Sequence, residues 1–338
     1  MWRSREGDYL EDLNRIVFDV KGLVHPSDRI IAFPRFIPDP QGTRLRTSIP
    51  YKKVYALSER FAFLQAYHPH YLVLDPIFGE CLCEIPQKAV VHHYDPITRL
   101  ERLRRNGQRD QLETDALHLL ETLHDQAGTP WRKLGVSGSL LIKMHTPQSD
   151  IDPIIYGARN CIEVHEGLRS LAGDKKSVVK PFSPNELRAL YGFRFQDTRV
   201  SFSDFIKTER RKILQGKFLQ HDYFIRCIRS WDEIGEHYGD VVYRKIGYAR
   251  IKAVVSDDAE AIFTPCRYTV KNVQLLKGDG GEGVTEIASF RGRFCEQART
   301  GETVVAQGKV ENVQKRDGRA FVRLLLGGQP SDFMVLEE

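Results

Sequence analysis

The chain has 338 residues, of which 41% are hydrophobic and 28% charged, so we expect a folded protein and exclude a disordered or fibrous one. The formal net charge of +5 permits a polyanionic partner without requiring one. The first residues lack an apolar run, and no stretch of about 18 apolar residues occurs, so we expect no signal peptide and no transmembrane helix. Six cysteines without framework spacing favour free thiols in a reducing cytoplasm.

Residues 1–106 are typical of a mixed α+β domain. Strands are predicted at 15–20, 29–37 and 71–74, because these segments are rich in β-branched and aromatic residues. A helix is predicted at 58–67, and a second one begins at Asp95-Pro96. Cys81 and Cys83 precede His92 and His93, but this spacing matches no usual zinc site, so we favour a short strand there.

Residues 107–240 alternate between helical and strand patterns. Leucines at near-helical spacing predict a helix at 111–126, and later helices are predicted at 159–171, from Pro184 and at 202–214. Strands are predicted at 132–136, 151–156 and 218–228. The residues of this central domain are therefore expected to form both helices and strands.

Residues 241–338 contain five short strand patterns separated by turns, including the hairpin signal Asp317-Gly318. This spacing predicts a small β-barrel or sandwich, similar in pattern to an OB-type barrel. Arg291-Gly292-Arg293 lies between Phe290 and Phe294, a mixture that suits backbone phosphates and bases. A purely structural module that packs on the central domain is the alternative.

One constellation in the central domain carries chemistry. The first predicted strand ends at Gly138-Ser139, and Asp150 follows eleven residues after Ser139, with Asp152 two residues further on. Residues i and i+2 of a strand point to one side, so the two carboxylates should project together and bind a divalent cation. Mg²⁺ prefers such oxygen ligands and also binds triphosphate oxygens. The small-residue turn lets backbone N–H groups approach a phosphate.

Each part of this pattern also has a bland interpretation, because Gly-Ser is common in turns and Asp-x-Asp is common at strand ends. In combination, Gly138-Ser139 and Ser149-Asp150-Ile151-Asp152 resemble the signature of the DNA polymerase β nucleotidyltransferase superfamily. The resemblance covers about residues 110–230. The whole chain is also similar to uncharacterised predicted nucleotidyltransferases of archaea. The resemblance implies a small mixed sheet with helices, and nucleotidyl transfer with release of pyrophosphate.

The family uses a third carboxylate on a later strand, and Asp222 is the candidate for this role. An ion pair of Asp222 with Arg226 is the structural alternative. Many family members have Arg-Gly three and four residues after the serine, whereas this chain has Ile142 and Lys143. Lys143 is therefore a candidate phosphate ligand. Lys207 and Arg211, which share a face of the predicted helix 202–214, are further candidates for nucleotide binding, or else part of a solvated basic face.

These residues predict an enzyme with a Mg²⁺ or Mn²⁺ cofactor that transfers a nucleoside monophosphate from an NTP to an acceptor hydroxyl. Asp150, Asp152 and Asp222 would hold the metal, and Gly138 and Ser139 would bind the nucleotide. RNA or DNA is the expected acceptor. Transfer to a protein or small molecule, and a non-catalytic nucleic-acid-binding protein, remain alternatives, and the sequence leaves the oligomeric state open.

Overall fold

The computed structural model describes residues 3–337 and confirms the α+β class, since helices and several sheets occur along the chain. The chain divides into two compact units. The first contains the residues up to Leu74, Cys81–Lys180 and Ile213–Gly235, and the second contains Asp75–Glu80, Pro181–Lys212 and the residues from Glu236 onward. The predicted boundary after residue 106 falls inside the first unit, whereas the one after residue 240 lies near the division at Gly235.

An eight-stranded sheet forms the N-terminal part of the first unit. Its strands are β1 (Tyr9–Asp12), β2 (Val17–Val20), β3 (Arg29–Pro38), β4 (Arg44–Arg46), β5 (Ile49–Lys53), β6 (Leu72–Asp75), β7 (Glu80–Pro86) and β8 (Val90–Tyr94). Six of them follow the order β4-β5-β3-β2-β1-β8, while β7 pairs with β3 and β6 pairs with β7. Helix α1 (Leu57–Tyr67) lies between β5 and β6 in the chain, and helix α2 (Pro96–Arg105) follows β8.

The rest of the first unit contains six short strands. They are β9 (Leu134–Val136), β10 (Pro153–Tyr156), β11 (Val179–Lys180), β12 (Gln215–Phe218), β13 (His221–Phe224) and β14 (Arg226–Ile228). β10 is central in a mixed sheet, because it pairs antiparallel with β9 and parallel with β14. β11, β12 and β13 form an antiparallel sheet. A parallel bridge between Ile151 and Tyr223 links the two sheets.

Three helices lie in the same part of the first unit as these strands: α3 (Gln111–Ala127), α4 (Gly138–Leu141) and α5 (Ala158–Gly173). α3 begins at a capping box in which the Asp110 side chain accepts a hydrogen bond from the Glu113 N–H at 2.8 Å. It ends at Gly128, whose φ of 63° is left-handed, as is common at helix C-termini. The leucines that predict this helix, Leu112, Leu119, Leu120 and Leu123, are all buried.

The N-terminal sheet shares a hydrophobic core with the end of α4. The cluster combines side chains of the sheet with side chains that follow Ser139, namely Tyr9, Val17, Phe36, Tyr51, Leu141, Ile142 and Met144. The Ser137 hydroxyl also donates a hydrogen bond to the Gly7 carbonyl oxygen at 2.7 Å. The N-terminal strands therefore support the turn that contains Gly138-Ser139.

The prediction of one continuous strand at 218–228 is wrong, because the structure divides this segment among three strands. Phe218 ends β12, and Leu219 adopts a left-handed φ of 54° in the turn that leads into β13. Ile225 separates β13 from β14, and its N–H donates to the Leu214 carbonyl oxygen at 2.7 Å. A hairpin turn at Leu219 and a change of pairing partner at Ile225 account for the break, and an apolar run reveals neither of them.

The second unit begins with α6 (Pro184–Arg194) and α7 (Phe202–Glu209). α7 is shorter than the predicted helix 202–214, because the chain turns after Glu209 and buries Lys212. The Lys212 ammonium donates to the Arg293 carbonyl oxygen at 2.6 Å and to the Gln297 side chain at 2.9 Å.

The strands of the second unit are β15 (Val241–Asp257), β16 (Cys266–Gly278), β17 (Val284–Ser289), β18 (Thr303–Lys315), β19 (Ala320–Leu326) and β20 (Phe333–Leu336). They pair in the order β15-β16-β17-β19-β18-β20, and β18 also pairs with β15 along almost its whole length. The pairing therefore runs from β15 through β16, β17, β19 and β18 back to β15, and these five strands form a closed ring. The contact between β17 and β19 is parallel, and the other contacts in this ring are antiparallel.

Among residues 3–337, no helix is long and apolar enough to cross a membrane. All six cysteines are free thiols, and Cys81 and Cys83 lie on β7, one exposed and the other buried. The short strand favoured for this segment is therefore confirmed.

We expect Leu120→Ala to destabilise the protein by about 2–5 kcal/mol, because Leu120 is fully buried and its truncation leaves a cavity in the core of the first unit. The midpoint of urea unfolding, followed by circular dichroism, measures the loss. Glu121→Ala changes the exposed neighbour and serves as the control. Equal midpoints for the two variants would contradict this account of the core.

Candidate acidic site at Gly138 and Asp152

The turn after β9 places Gly138 directly against the carboxylate of Asp152. The Ser137 N–H donates to the Asp152 carbonyl oxygen at 2.8 Å, which ties the turn to the residue that precedes β10. Gly138 has a φ of 62°, and a Cβ atom built on it would lie 1.9 Å from Asp152 Oδ2. Only glycine leaves room for the carboxylate at this point.

Asp150 and Asp152 lie on either side of Ile151, which pairs with Tyr223 in extended geometry. Asp152 is only 9% exposed, whereas Asp150 is partly exposed. Burial raises the pKa of Asp152 to about 6, and the negative charge of Asp150 adds to this rise. The structure thus brings the two predicted acids and Gly138 together. It holds the Asp152 carboxylate where a negative charge is unfavourable.

Ser139 follows Gly138 in the first turn of α4 and is 1% exposed. Its hydroxyl oxygen is buried and has no hydrogen-bond partner within the part of the chain that the structure describes. A buried hydroxyl without a partner costs free energy, typically about 1–3 kcal/mol. Ser139 therefore offers a donor to any ligand that reaches the turn.

The loop between α4 and the acids is held at both ends. Arg44 Nη1 on β4 donates to the Met144 carbonyl oxygen at 3.2 Å and to Ser149 Oγ at 2.9 Å. His145 Nε2 lies 2.6 Å from Asp110 Oδ2 at the start of α3. Because Ser149 immediately precedes Asp150, Arg44 fixes the approach of the chain to the acid pair. Sequence reasoning missed Arg44, since its partners are about 100 residues away.

The main chain at Asp222 lies next to the main chain at Asp150 and Ile151. The Ile151 N–H donates to the Asp222 carbonyl oxygen at 2.9 Å, in the same parallel register that pairs Ile151 with Tyr223. The carboxylate of Asp222 is 55% exposed and lies 2.6 Å from Lys217 Nζ. Its partner is thus Lys217, while Arg226 lies 3.8 Å from Glu6. The metal-binding role of Asp222 stays a prediction.

The other predicted nucleotide ligands are spread over both units. Lys143 is exposed and has a left-handed φ of 55° in the first unit. Lys207 and Arg211 belong to the second unit, where Lys207 lies 3.7 Å from Asp204 and Arg211 forms a bidentate ion pair with Glu302 at 2.5 and 2.9 Å. Arg211 therefore already has a carboxylate partner.

Three cations near Asp152 received no catalytic or binding role from the sequence. Arg226, Lys53 and Arg35 each stabilise the ionised form of Asp152, but burial and Asp150 outweigh them. Arg226 also interacts with Asp19 on β2. Burial disfavours the ionised form of Asp19, but Lys21, at 2.8 Å, and Arg226 outweigh it and lower the pKa of Asp19 to about 2.

A second group of metal-type ligands consists of Asp110, Glu113 and His145, whose ligand atoms lie within 4.8 Å of one another. Their contacts within the protein account for this arrangement, because Asp110 caps α3 and His145 bonds to Asp110. Glu113 also pairs with Arg99 at 2.5 Å. The group therefore helps to anchor the loop that leads to Asp150.

The basic and aromatic segment at residues 290–294 uses its charges internally. Arg291 and Arg293 both lie 2.9 Å from the same oxygen of Asp197, and Phe294 is buried. Burial lowers the pKa of Arg293 to about 9, with Arg291 as a further cause. These contacts favour the structural interpretation of the segment over a phosphate-binding one.

We expect Gly138→Ala to displace the Asp152 carboxylate and to lower stability by about 1–3 kcal/mol, because a Cβ atom would overlap Oδ2 and strain a left-handed backbone. Thermal unfolding measures this loss. Gly173→Ala is the matched control, since its Cβ would meet no atom within 4 Å. If Gly138→Ala unfolded at the same temperature as Gly173→Ala, the close contact would be refuted.

Asp152→Asn should stabilise the metal-free protein in a pH-dependent manner. The pKa of Asp152 is raised from 3.8 to about 6, so wild-type stability falls as pH rises through this interval, when the buried group ionises. At pH 8 the variant should gain about 2–3 kcal/mol, at about 1.4 kcal/mol per pKa unit, and below pH 4 the gain should vanish. Denaturant titrations of both proteins at the two pH values, in the presence of a chelator, measure this difference. A gain that did not change with pH would contradict the assignment.

Comparison with known proteins finds a relative that matches the chain over almost its whole length. The chain is 29% identical over 333 residues to a protein described as "Uncharacterized protein MJ1086" from Methanocaldococcus jannaschii, with 96% of each chain covered. No family model matches the sequence, and no solved structure matches it.

Proposed function

We propose that this protein is a metal-dependent nucleotidyltransferase of the polymerase β type, with Asp150 and Asp152 as its metal ligands. The observation that carries the proposal is the contact between Asp152 and Gly138, which brings a repelling carboxylate pair against a glycine-serine turn. The mixed sheet β9-β10-β14 with α3 and α5 is compatible with the small mixed sheet and helices of that superfamily.

The residues of the site fit a divalent cation of the Mg²⁺ or Mn²⁺ type. The donors are carboxylate oxygens, which these ions prefer. Burial and the repulsion by Asp150 raise the pKa of Asp152, and a cation between the two acids would relieve the repulsion. When bound, such an ion supplies charge neutralisation for a triphosphate and lowers the pKa of a coordinated hydroxyl.

The residues of the chain would then act by holding the reactants. Ser139 would donate its unpartnered hydroxyl hydrogen to a phosphate oxygen, and the N–H groups that begin α4, which lack partners within the helix, would do the same. Asp222, the predicted third metal ligand, would accept the proton of the acceptor hydroxyl. Attack of that hydroxyl oxygen on the α-phosphorus forms the new ester bond as the bond to pyrophosphate breaks, and positioning supplies most of the rate in such chemistry.

The ring of strands in the second unit favours a nucleic acid as the acceptor. The order β15-β16-β17-β19-β18, closed by the pairing of β18 with β15, is compatible with a five-stranded OB-type barrel, a fold that binds oligonucleotides. Arg267 and Lys271 are exposed on β16. Transfer to a protein or to a small molecule, and a binding protein without catalysis, are the competing functions.

The test is a transfer assay with each of the four labelled NTPs, Mg²⁺ or Mn²⁺, and RNA, single-stranded DNA or no added acceptor. We expect label on a nucleic acid, and a loss of at least about 10³-fold in Asp150→Asn/Asp152→Asn, because the variant removes both metal ligands. Asp125→Asn, an exposed acid on α3, should retain full activity. Label on the protein itself would favour the second function. Absence of transfer with any NTP, together with retained RNA binding, would refute the enzyme.

Asp222→Asn separates the role of the third acid from that of the first two. If Asp222 accepts the acceptor proton, the variant loses kcat by at least about 10²-fold, while its affinity for the metal–nucleotide complex changes little. If the carboxylate serves only to pair with Lys217, the variant should retain kcat and resemble Lys217→Gln.

A further inference from the structure

The strand β5 carries two adjacent lysines that lie in different environments. Lys52 is exposed and its ammonium lies 2.6 Å from Glu59 on α1. Lys53 follows Tyr51 by two residues, so the two side chains leave the strand on the same face. The Tyr51 ring belongs to the core cluster that also contains Leu141 and Met144. Lys53 therefore points towards the side of the sheet against which α4 and the acid loop pack.

Lys53 and Arg35 converge on one half-exposed aromatic ring. Lys53 Nζ lies 5.0 Å from the ring centre of Tyr55, and the Arg35 guanidinium carbon lies 4.6 Å from it. Arg35 Nη1 also donates to the Val54 carbonyl oxygen at 3.1 Å, and this bond fixes its position. Within residues 3–337, neither Lys53 nor Arg35 forms an ion pair with a carboxylate.

Several other cations on or next to the same sheet are paired with carboxylates. Lys21 lies 2.9 Å from Glu6 and 2.8 Å from Asp19, and Arg46 lies 3.0 Å from Glu11. Among the described residues of this sheet, Lys53 and Arg35 lack a carboxylate partner, as does Arg44, which donates to the Met144 carbonyl oxygen and to Ser149. Lys53 Nζ lies 5.9 Å from the ring centre of Phe36, which shares the core cluster of Leu141 and Met144, and Arg35 precedes Phe36 on β3. The charge of Lys53 and Arg35 is available to an anion that also reaches the acids through a bound cation.

We propose that Lys53, with Arg35 beside it, binds the polyphosphate of the nucleoside triphosphate whose metal ion Asp150 and Asp152 hold. This inference rests on the proposed function and adds the N-terminal sheet to the substrate site. The ammonium and guanidinium would supply charge-assisted hydrogen bonds to phosphate oxygens, in addition to the hydroxyl donor of Ser139. Selection of the base is left to other contacts, so the site would bind the phosphates of every NTP.

The test measures binding of tripolyphosphate, and of each NTP, in the presence of Mg²⁺ by titration calorimetry. Lys53→Met keeps the hydrocarbon stem over Tyr55 and removes the charge, and we expect it to weaken binding about ten- to a hundredfold, as for loss of a charged hydrogen bond. Lys53→Arg should restore most of the affinity. Lys52→Met, which changes the neighbouring lysine, should bind within twofold of the wild type.

A second measurement uses the unaltered protein and does not depend on the folding of a variant. Lysines are acetylated briefly with a water-soluble reagent, with and without Mg²⁺ and tripolyphosphate, and the peptide that contains both lysines is analysed by fragmentation mass spectrometry. We expect the polyphosphate to protect Lys53 from acetylation at least about fivefold, because an ammonium that donates to phosphate oxygens stays protonated and has no lone pair with which to attack the reagent. Lys52 should react equally in both samples.

The outcomes separate the two proposals. Unchanged affinity in Lys53→Met, together with absence of protection at Lys53, overturns this inference, while label transfer by the wild type would leave the nucleotidyltransferase intact. Failure of the wild type to bind tripolyphosphate or any NTP with Mg²⁺ or Mn²⁺ overturns both. Protection of Lys53 with weakened binding in Lys53→Met supports the inference even where the acceptor is still unknown.

Discussion

The close contact between Gly138 and the carboxylate of Asp152 is the constraint on which the candidate site depends. A side chain at position 138 would occupy the space of Oδ2, so the turn and the acid can share this point only because residue 138 is glycine. The hydrogen bond from Ser137 to Asp152 keeps the turn and the start of β10 in register. This contact forces Asp152 into a buried position beside Asp150, which explains its raised pKa.

Much of the local structure could be predicted because it follows from short-range signals. The apolar spacing and the capping residues of α3 predict a helix close to the observed one, and the two runs around Gly138 and Asp152 predict β9 and β10. Where sequence reasoning was wrong, tertiary contacts decided the structure. The left-handed turn at Leu219 interrupts an apolar run that looks like one strand, and burial of Lys212 ends α7 early.

Charge in a sequence does not reveal whether a partner is already present. Arg211 pairs with Glu302, and Arg291 shares Asp197 with Arg293, so residues that resemble phosphate ligands are satisfied within the protein. Lys53 and Arg44 received no role, because their relation to the acids depends on how the N-terminal sheet packs on α4. Pairings between residues 100 positions apart leave no local pattern from which they could be read.

The first unit contains two clusters of acidic and basic side chains, one around Asp19 and one around Asp152. They differ in how completely the negative charge is neutralised. Around Asp19, Lys21 and Arg226 supply enough positive charge to lower the pKa of the carboxyl, so that group is stable without a ligand. Around Asp152, burial and Asp150 prevail over the cations and the pKa rises, although Lys53 and Arg35 are nearby and lack carboxylate partners. Direct ion pairing of Lys53 with Asp152 would remove this imbalance, yet the structure keeps them apart. A divalent cation on the acids and a polyphosphate on the two bases would neutralise both sides at once, and this complementarity is what a metal–nucleotide complex provides.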